Sequence, residues 1–88
     1  MVEKTVTIQN AHGLHVRPAT KLADLAGKFK SQVTIHKDGQ DVAARSIIEL
    51  LTLAAAQGTQ LKIRAEGPDA AEAVDAIEKL VNARFGLD

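Results

Sequence analysis

This chain predicts an α+β fold: a two-layer, open-faced sandwich whose four-stranded antiparallel sheet carries three helices on one face, in the order βαββαβα. Three observations lead there. Four short stretches alternate apolar and polar residues with a period of two, three longer ones place apolar residues at helical spacing, and an Asp-Gly pair joins two of the short stretches. Elements that are apolar on one side only must bury that side against another layer, and a helix layer on a sheet does so.

Residues 2–8 place Val2, Lys4, Val6 and Ile8 on one face and Glu3, Thr5 and Thr7 on the other, the pattern of a half-buried strand. Beyond a glycine-containing loop, Ala19, Leu22, Ala23, Ala26 and Phe29 recur at helical spacing, with Gly27 as a C-terminal stop. Val33 and Ile35 alternate with polar residues up to Asp38-Gly39, a two-residue hairpin signal because both positions tolerate φ > 0. The return strand is short, around Asp41 to Ala43. Ser46 and Glu49 form an S-x-x-E capping box that opens a short apolar helix, which ends before Gln57-Gly58-Thr59. Leu61, Ile63 and Ala65 alternate with Lys62, Arg64 and Glu66 as the fourth strand. Gly67-Pro68 then breaks the chain, and Asp69 with Glu72 reads as the N-terminal box of a last helix. Its buried stripe is Ala73, Val74, Ile77, Leu80 and Val81, and it stops near Gly86.

At 88 residues the chain is expected to form one domain, 1–88, around an aliphatic core, since it has two Phe and neither Trp nor Tyr. The absence of cysteine excludes disulfides and thiolate metal sites. No apolar run approaches the ~18 residues of a membrane span, and the N-terminus lacks a secretory signal's apolar stretch. A cytoplasmic protein without stable membrane association is expected. Net charge is zero, which argues against nucleic-acid binding. Charge is nevertheless segregated. Arg17, Lys21, Lys28, Lys30 and Lys37 face one acid, Asp24, between residues 12 and 37, whereas residues 65–78 hold five acids and no base. Such a local basic face suits a phosphate or an acidic partner.

The run Gly13-Leu14-His15-Val16-Arg17-Pro18-Ala19 is the most informative stretch. Pro is accommodated in a helix's first turn, where a missing N–H is no loss. His15 therefore falls at a helix N-cap, facing unpaired N–H groups and the positive end of the dipole, a setting that receives anions. Free imidazole titrates near pH ~6.5 and offers a nitrogen lone pair at neutral pH. Arg17 and the dipole disfavour the imidazolium and keep that nucleophile available. His15 and Arg17 are thus the candidate catalytic pair, and His15, Val16 and Arg17 the candidate phosphate site. No carboxylate set suited to Mg²⁺ is present, so neither cofactor nor metal is expected. His12 and His36 are read as solvated side chains and not as zinc ligands.

The same run resembles the active-site signature of HPr, the histidine phosphocarrier family of the bacterial phosphoenolpyruvate-dependent phosphotransferase system. Ser46-Ile47-Ile48, Leu51-Thr52-Leu53 and Gln57-Gly58-Thr59 resemble the family's second signature, around its regulatory serine. The resemblance implies a carrier that takes a phosphoryl group from phospho-Enzyme I onto His15 Nδ1 and passes it to IIA domains of sugar permeases. Arg17 and the helix-start N–H groups would neutralise the phosphate. It also implies regulatory phosphorylation of Ser46 by HPr kinase, against which Glu49 adds like charge. Thr20, Ile47, Ile48 and Leu51 are expected to form a partner-docking patch beside His15, rimmed by Lys21 and Lys28 and countered by Asp24 and Glu49. A monomer is expected. Two rival readings are a regulatory paralogue of the nitrogen branch, to which Glu49 draws attention, and a non-catalytic βαββαβ module that binds a small ligand.

Overall fold

The structure, a computed structural model, describes residues 1–87. Its elements are β1 (Val2–Thr7), α1 (Val16–Ala26), β2 (Gln32–Lys37), β3 (Gln40–Ala43), α2 (Ile47–Thr52), β4 (Gln60–Glu66) and α3 (Ala70–Asn82), followed by a 3₁₀ turn over Arg84–Gly86. The four strands form one open sheet in the order β1-β4-β2-β3, every pair antiparallel. The register places Val6 opposite Leu61, Ile63 opposite Ile35, and Ile35 opposite Val42. These side chains are all buried on one face. Under them lie Leu22 and Ala26 of α1, Leu50 of α2, and Ala73, Val74, Ile77 and Val81 of α3. The predicted sandwich is therefore the observed one.

Local chemistry accounts for the details that depart from the expected pattern. Lys4, on the apolar face of β1, sends its ammonium to Asp75 and Glu78 of α3, at 2.9 Å each. Those two hydrogen bonds, Asp75's first, hold its pKa above the ordinary lysine value. The Asp38-Gly39 turn has φ of 48° and 83°, the doubly positive geometry that hairpin twist requires. Gly27 caps α1 in the right-handed region (φ −66°, ψ −15°), so it ends the helix without the left-handed turn expected of a glycine stop. Leu80 is only half-buried.

Both expected capping boxes are rearranged. Ser46 Oγ does accept from Glu49 N–H at 3.2 Å, but the Glu49 carboxylate accepts from Ala43 N–H, since Ser46 N–H is already bonded to Ala43 O. Asp69 makes no side-chain cap on α3. Its carboxylate instead accepts from Ser31 Oγ and from the N–H groups of Lys30 and Ser31. The Ser31 hydroxyl, followed by the Lys30 N–H, pulls the Asp69 carboxyl below its ordinary range, because each bond favours the ionised form. The side chain thus ties the α1–β2 connection to the start of α3. After Asn82 the chain leaves the α-helix, and Phe85, fully buried with φ 57°, plugs the core from the 3₁₀ turn.

Candidate functional site

His15 is the N-cap of α1, with extended backbone (φ −92°, ψ −166°). The first backbone bond of the helix runs from Ala19 N–H to His15 O at 2.9 Å. The N–H groups of Val16 and Arg17 precede that bond and stay available, and Pro18 has none to lose. The approach to this position is held by Gly13, whose N–H bonds Asn10 O at 3.1 Å, and by Leu14, whose N–H bonds Ala55 O at 2.8 Å. Gly13 has φ +67°, and a Cβ there would collide with Ala55 O and lie 2.9 Å from Ala56 Cα. A glycine is the residue that permits this close approach.

The loop and helix start open onto a depression lined by Asn10, His12, His15, Arg17, Gly86 and Leu87. His15 is half-buried and Arg17 exposed, and both line this one depression. His12 lies edge-on to His15, ring centroids 5.8 Å apart. It is exposed, as its reading as a solvated side chain expects, and it also belongs to the same cluster as His15. Asn10 is 2% exposed. Its amide donates to Gly13 O at 2.6 Å and braces the loop from inside. Such a cluster can receive a phosphoryl group: a nucleophilic nitrogen and a permanent cation share one opening at the start of a helix.

Beside it, α1 packs on α2, and the large apolar side chains left in solvent are Val16, Ile48 (78% exposed) and Leu51. Thr20 sits one turn beyond Val16 and donates its hydroxyl to Val16 O at 2.7 Å. Ile47 differs from the expectation in packing half-buried against the core. On a helix as short as α2, Leu50 takes the inward position and Ile47 shares its flank, which leaves Ile48 outermost.

A family model described as PTS HPr component phosphorylation site matches residues 2–83. The chain belongs to the HPr family. It is a phosphocarrier of the phosphotransferase system and not a stand-alone enzyme. It is 43% identical over 86 residues to the phosphocarrier protein HPr of Cupriavidus necator, covering 98% of this chain and 97% of the relative. It is likewise 43% identical over 88 residues to the phosphocarrier protein NPr of Klebsiella oxytoca, covering 99% and 98%. Among solved structures, HPr-C-His from Thermoanaerobacter tengcongensis superposes with a TM-score of 0.96 at 41% identity, covering 100% of this chain and 99% of that one.

Within this member of the family, the residues singled out from sequence divide into two groups. His15 and Arg17 line the depression, while Val16, the first residue of α1, is exposed outside its lining, and Thr20, Ile48 and Leu51 lie further along α1 and α2. Ser46 caps α2. Sequence reasoning missed Asn10, Gly86 and Leu87, which line the depression, and the exposed side chain of Val16. The Asn10–Gly13 turn was open to recognition, since an Asn three residues before a Gly suits a local side-chain bond. The arrival of Gly86 and Leu87 has no local signal. His36, also read as solvated, pairs its Nδ1 with Asp41 at 2.6 Å across the β2–β3 ladder, on the polar face of the sheet.

Proposed function

We propose that this protein accepts a phosphoryl group from phospho-Enzyme I on His15 Nδ1 and delivers it to IIA domains of sugar permeases. The observation that carries this reading is the half-buried His15 imidazole at the N-cap of α1, sharing one opening with Arg17 at the start of the helix. The lone pair on the ring nitrogen attacks phosphorus in line, and the bond to the donor breaks with its electron pair leaving on the donor. The second transfer reverses these roles. Such transfer needs positioning and charge neutralisation and little further covalent chemistry. A single guanidinium and a helix terminus neutralise charge without gripping the phosphoryl group so tightly that its release slows.

Val16, Thr20, Ile47, Ile48 and Leu51 form the docking face for both enzymes, an apolar patch bordering the transfer site. Ser46 is the phosphorylation site for HPr kinase, and in the unmodified protein it caps α2. Residues 1–88 act as one domain, as a cytoplasmic monomer. The dimer solved for an HPr of Thermoanaerobacter tengcongensis defines the alternative, and light scattering distinguishes the two. The experiment for the central reading mixes the protein with phosphoenolpyruvate and Enzyme I. An acid-labile phosphate present in the native protein and missing from His15→Ala supports it; phosphate retained in that variant refutes it.

A second reading, regulatory output in the nitrogen branch, is favoured by the likeness to NPr and by Glu49 beside Ser46. Phosphoryl transfer to a sugar IIA compared with a nitrogen-branch IIA separates the two.

A further inference from the structure

We propose that His12 is a second, proton-dependent ligand for the phosphoryl group on His15, donating a ring N–H to a phosphoryl oxygen. This rests on His15 being the acceptor. The two rings meet edge to face with centroids 5.8 Å apart, within the range of direct ring contact. His12 is exposed, and among the described residues no hydrogen bond holds it. Rotation of its side chain therefore brings a ring N–H within roughly 3 Å of an oxygen carried on the neighbouring ring.

The charges around the depression make this contact conditional on phosphorylation. Facing His12 are His15 from the loop and Arg17 from α1, while Gly86 and Leu87 close the C-terminal side. The Lys21 ammonium approaches that rim, 3.9 Å from where a Gly86 Cβ would stand. No carboxylate lines the depression among the described residues. Before phosphorylation the depression thus offers His12 cationic neighbours and no anionic one among the described residues. A phosphoryl group brings negative charge to the adjacent ring and reverses that field. Arg17 supplies charge at every physiological pH, whereas His12 supplies it only when protonated. Proton uptake at His12 and phosphorylation at His15 are then linked, each favouring the other by the same factor.

At about 6 Å from a fully solvated phosphoryl group carrying one to two negative charges, with water-like screening, the interaction corresponds to a rise of roughly 0.5–1 unit in the His12 titration midpoint on phosphorylation. Linkage then makes the phosphorylated state about three- to tenfold more favoured at pH 5.5 relative to pH 8.5 than in a protein lacking His12. The test follows the His12 ring resonances by NMR through pH 5–9, in the native protein before and after phosphorylation with phosphoenolpyruvate and Enzyme I. A parallel measurement compares the pH dependence of the phosphorylation equilibrium in the native protein and in His12→Asn. A raised midpoint, together with a three- to tenfold flatter pH dependence in the variant, is the expected result. An unmoved midpoint, or phosphate found on His12 itself, overturns the proposal and leaves the carrier reading intact. No acid-labile phosphate on His15 overturns the carrier reading and this inference with it.

Discussion

Replacing Gly13 with alanine should disable the site by displacing the loop that supports it, without touching any group that contacts phosphate. Two costs arise together. Holding a residue with a Cβ at φ +67° costs about 1–2 kcal/mol. The added Cβ also overlaps Ala55 O and stands 2.9 Å from Ala56 Cα, so the two loops must separate. That separation sacrifices the Leu14 N–H to Ala55 O bond, worth about 0.5–1.5 kcal/mol. The total, about 1.5–3.5 kcal/mol, corresponds to a fall in Tm of roughly 6–28 °C for a domain of this size. Urea unfolding followed by circular dichroism reads the stability, and phosphorylation by Enzyme I reads the site. Since Gly13 lies two residues before His15, the surviving folded fraction should also be phosphorylated at least tenfold more slowly. A loss under 0.5 kcal/mol with an unchanged rate would show that the close approach at Gly13 does not position His15.

Other perturbations separate docking, capping, core and charge. Ile48→Glu, at a position 78% exposed, should leave stability within about 0.5 kcal/mol yet weaken the Enzyme I complex at least tenfold, as read by calorimetry; undiminished affinity would remove Ile48 from the docking face. Ser46→Ala should cost about 1 kcal/mol through loss of the bond from Glu49 N–H, measured by urea unfolding. Phe85→Ala empties a fully buried position and should cost about 3–5 kcal/mol by the same assay; a loss below 1 kcal/mol would mean the 3₁₀ turn is not part of the core. The depressed carboxyl of Asp69 contributes stability above its unfolded value near pH ~3.9, and that contribution disappears as pH falls through the lower folded value. Unfolding midpoints between pH 6 and 2 should accordingly fall less steeply in Asp69→Asn than in the native protein.

The architecture was legible because its determinants are periodic. Alternation in residues 2–8 and 61–66, the stripes of α1 and α3, and Asp38-Gly39 each depend on neighbours close in sequence. Where a side chain had two possible partners, the local rule failed. Glu49 and Asp69 both fit capping boxes, yet each bonds backbone N–H groups brought alongside by folding, at Ala43 for one and at Lys30 and Ser31 for the other. Gly27, read as a C-terminal stop, does end α1, but in right-handed backbone with its N–H bonded to Ala23 O.

By itself the sequence determined the fold class, the family, and the placing of His15 at a helix start two residues before Arg17, because capping geometry is settled within one turn of chain. Only the tertiary structure decided who shares that opening. Asn10 beneath the loop, His12 against the His15 ring and Leu87 from the far end of the chain meet there because the sheet and the 3₁₀ turn carry them together. It also decided which isoleucine faces solvent, since the exposure of Ile47 and Ile48 depends on how a six-residue helix leans against α1 and the core. Spacing along a chain records local energetics, while proximity between distant segments is set by the burial of the whole apolar face.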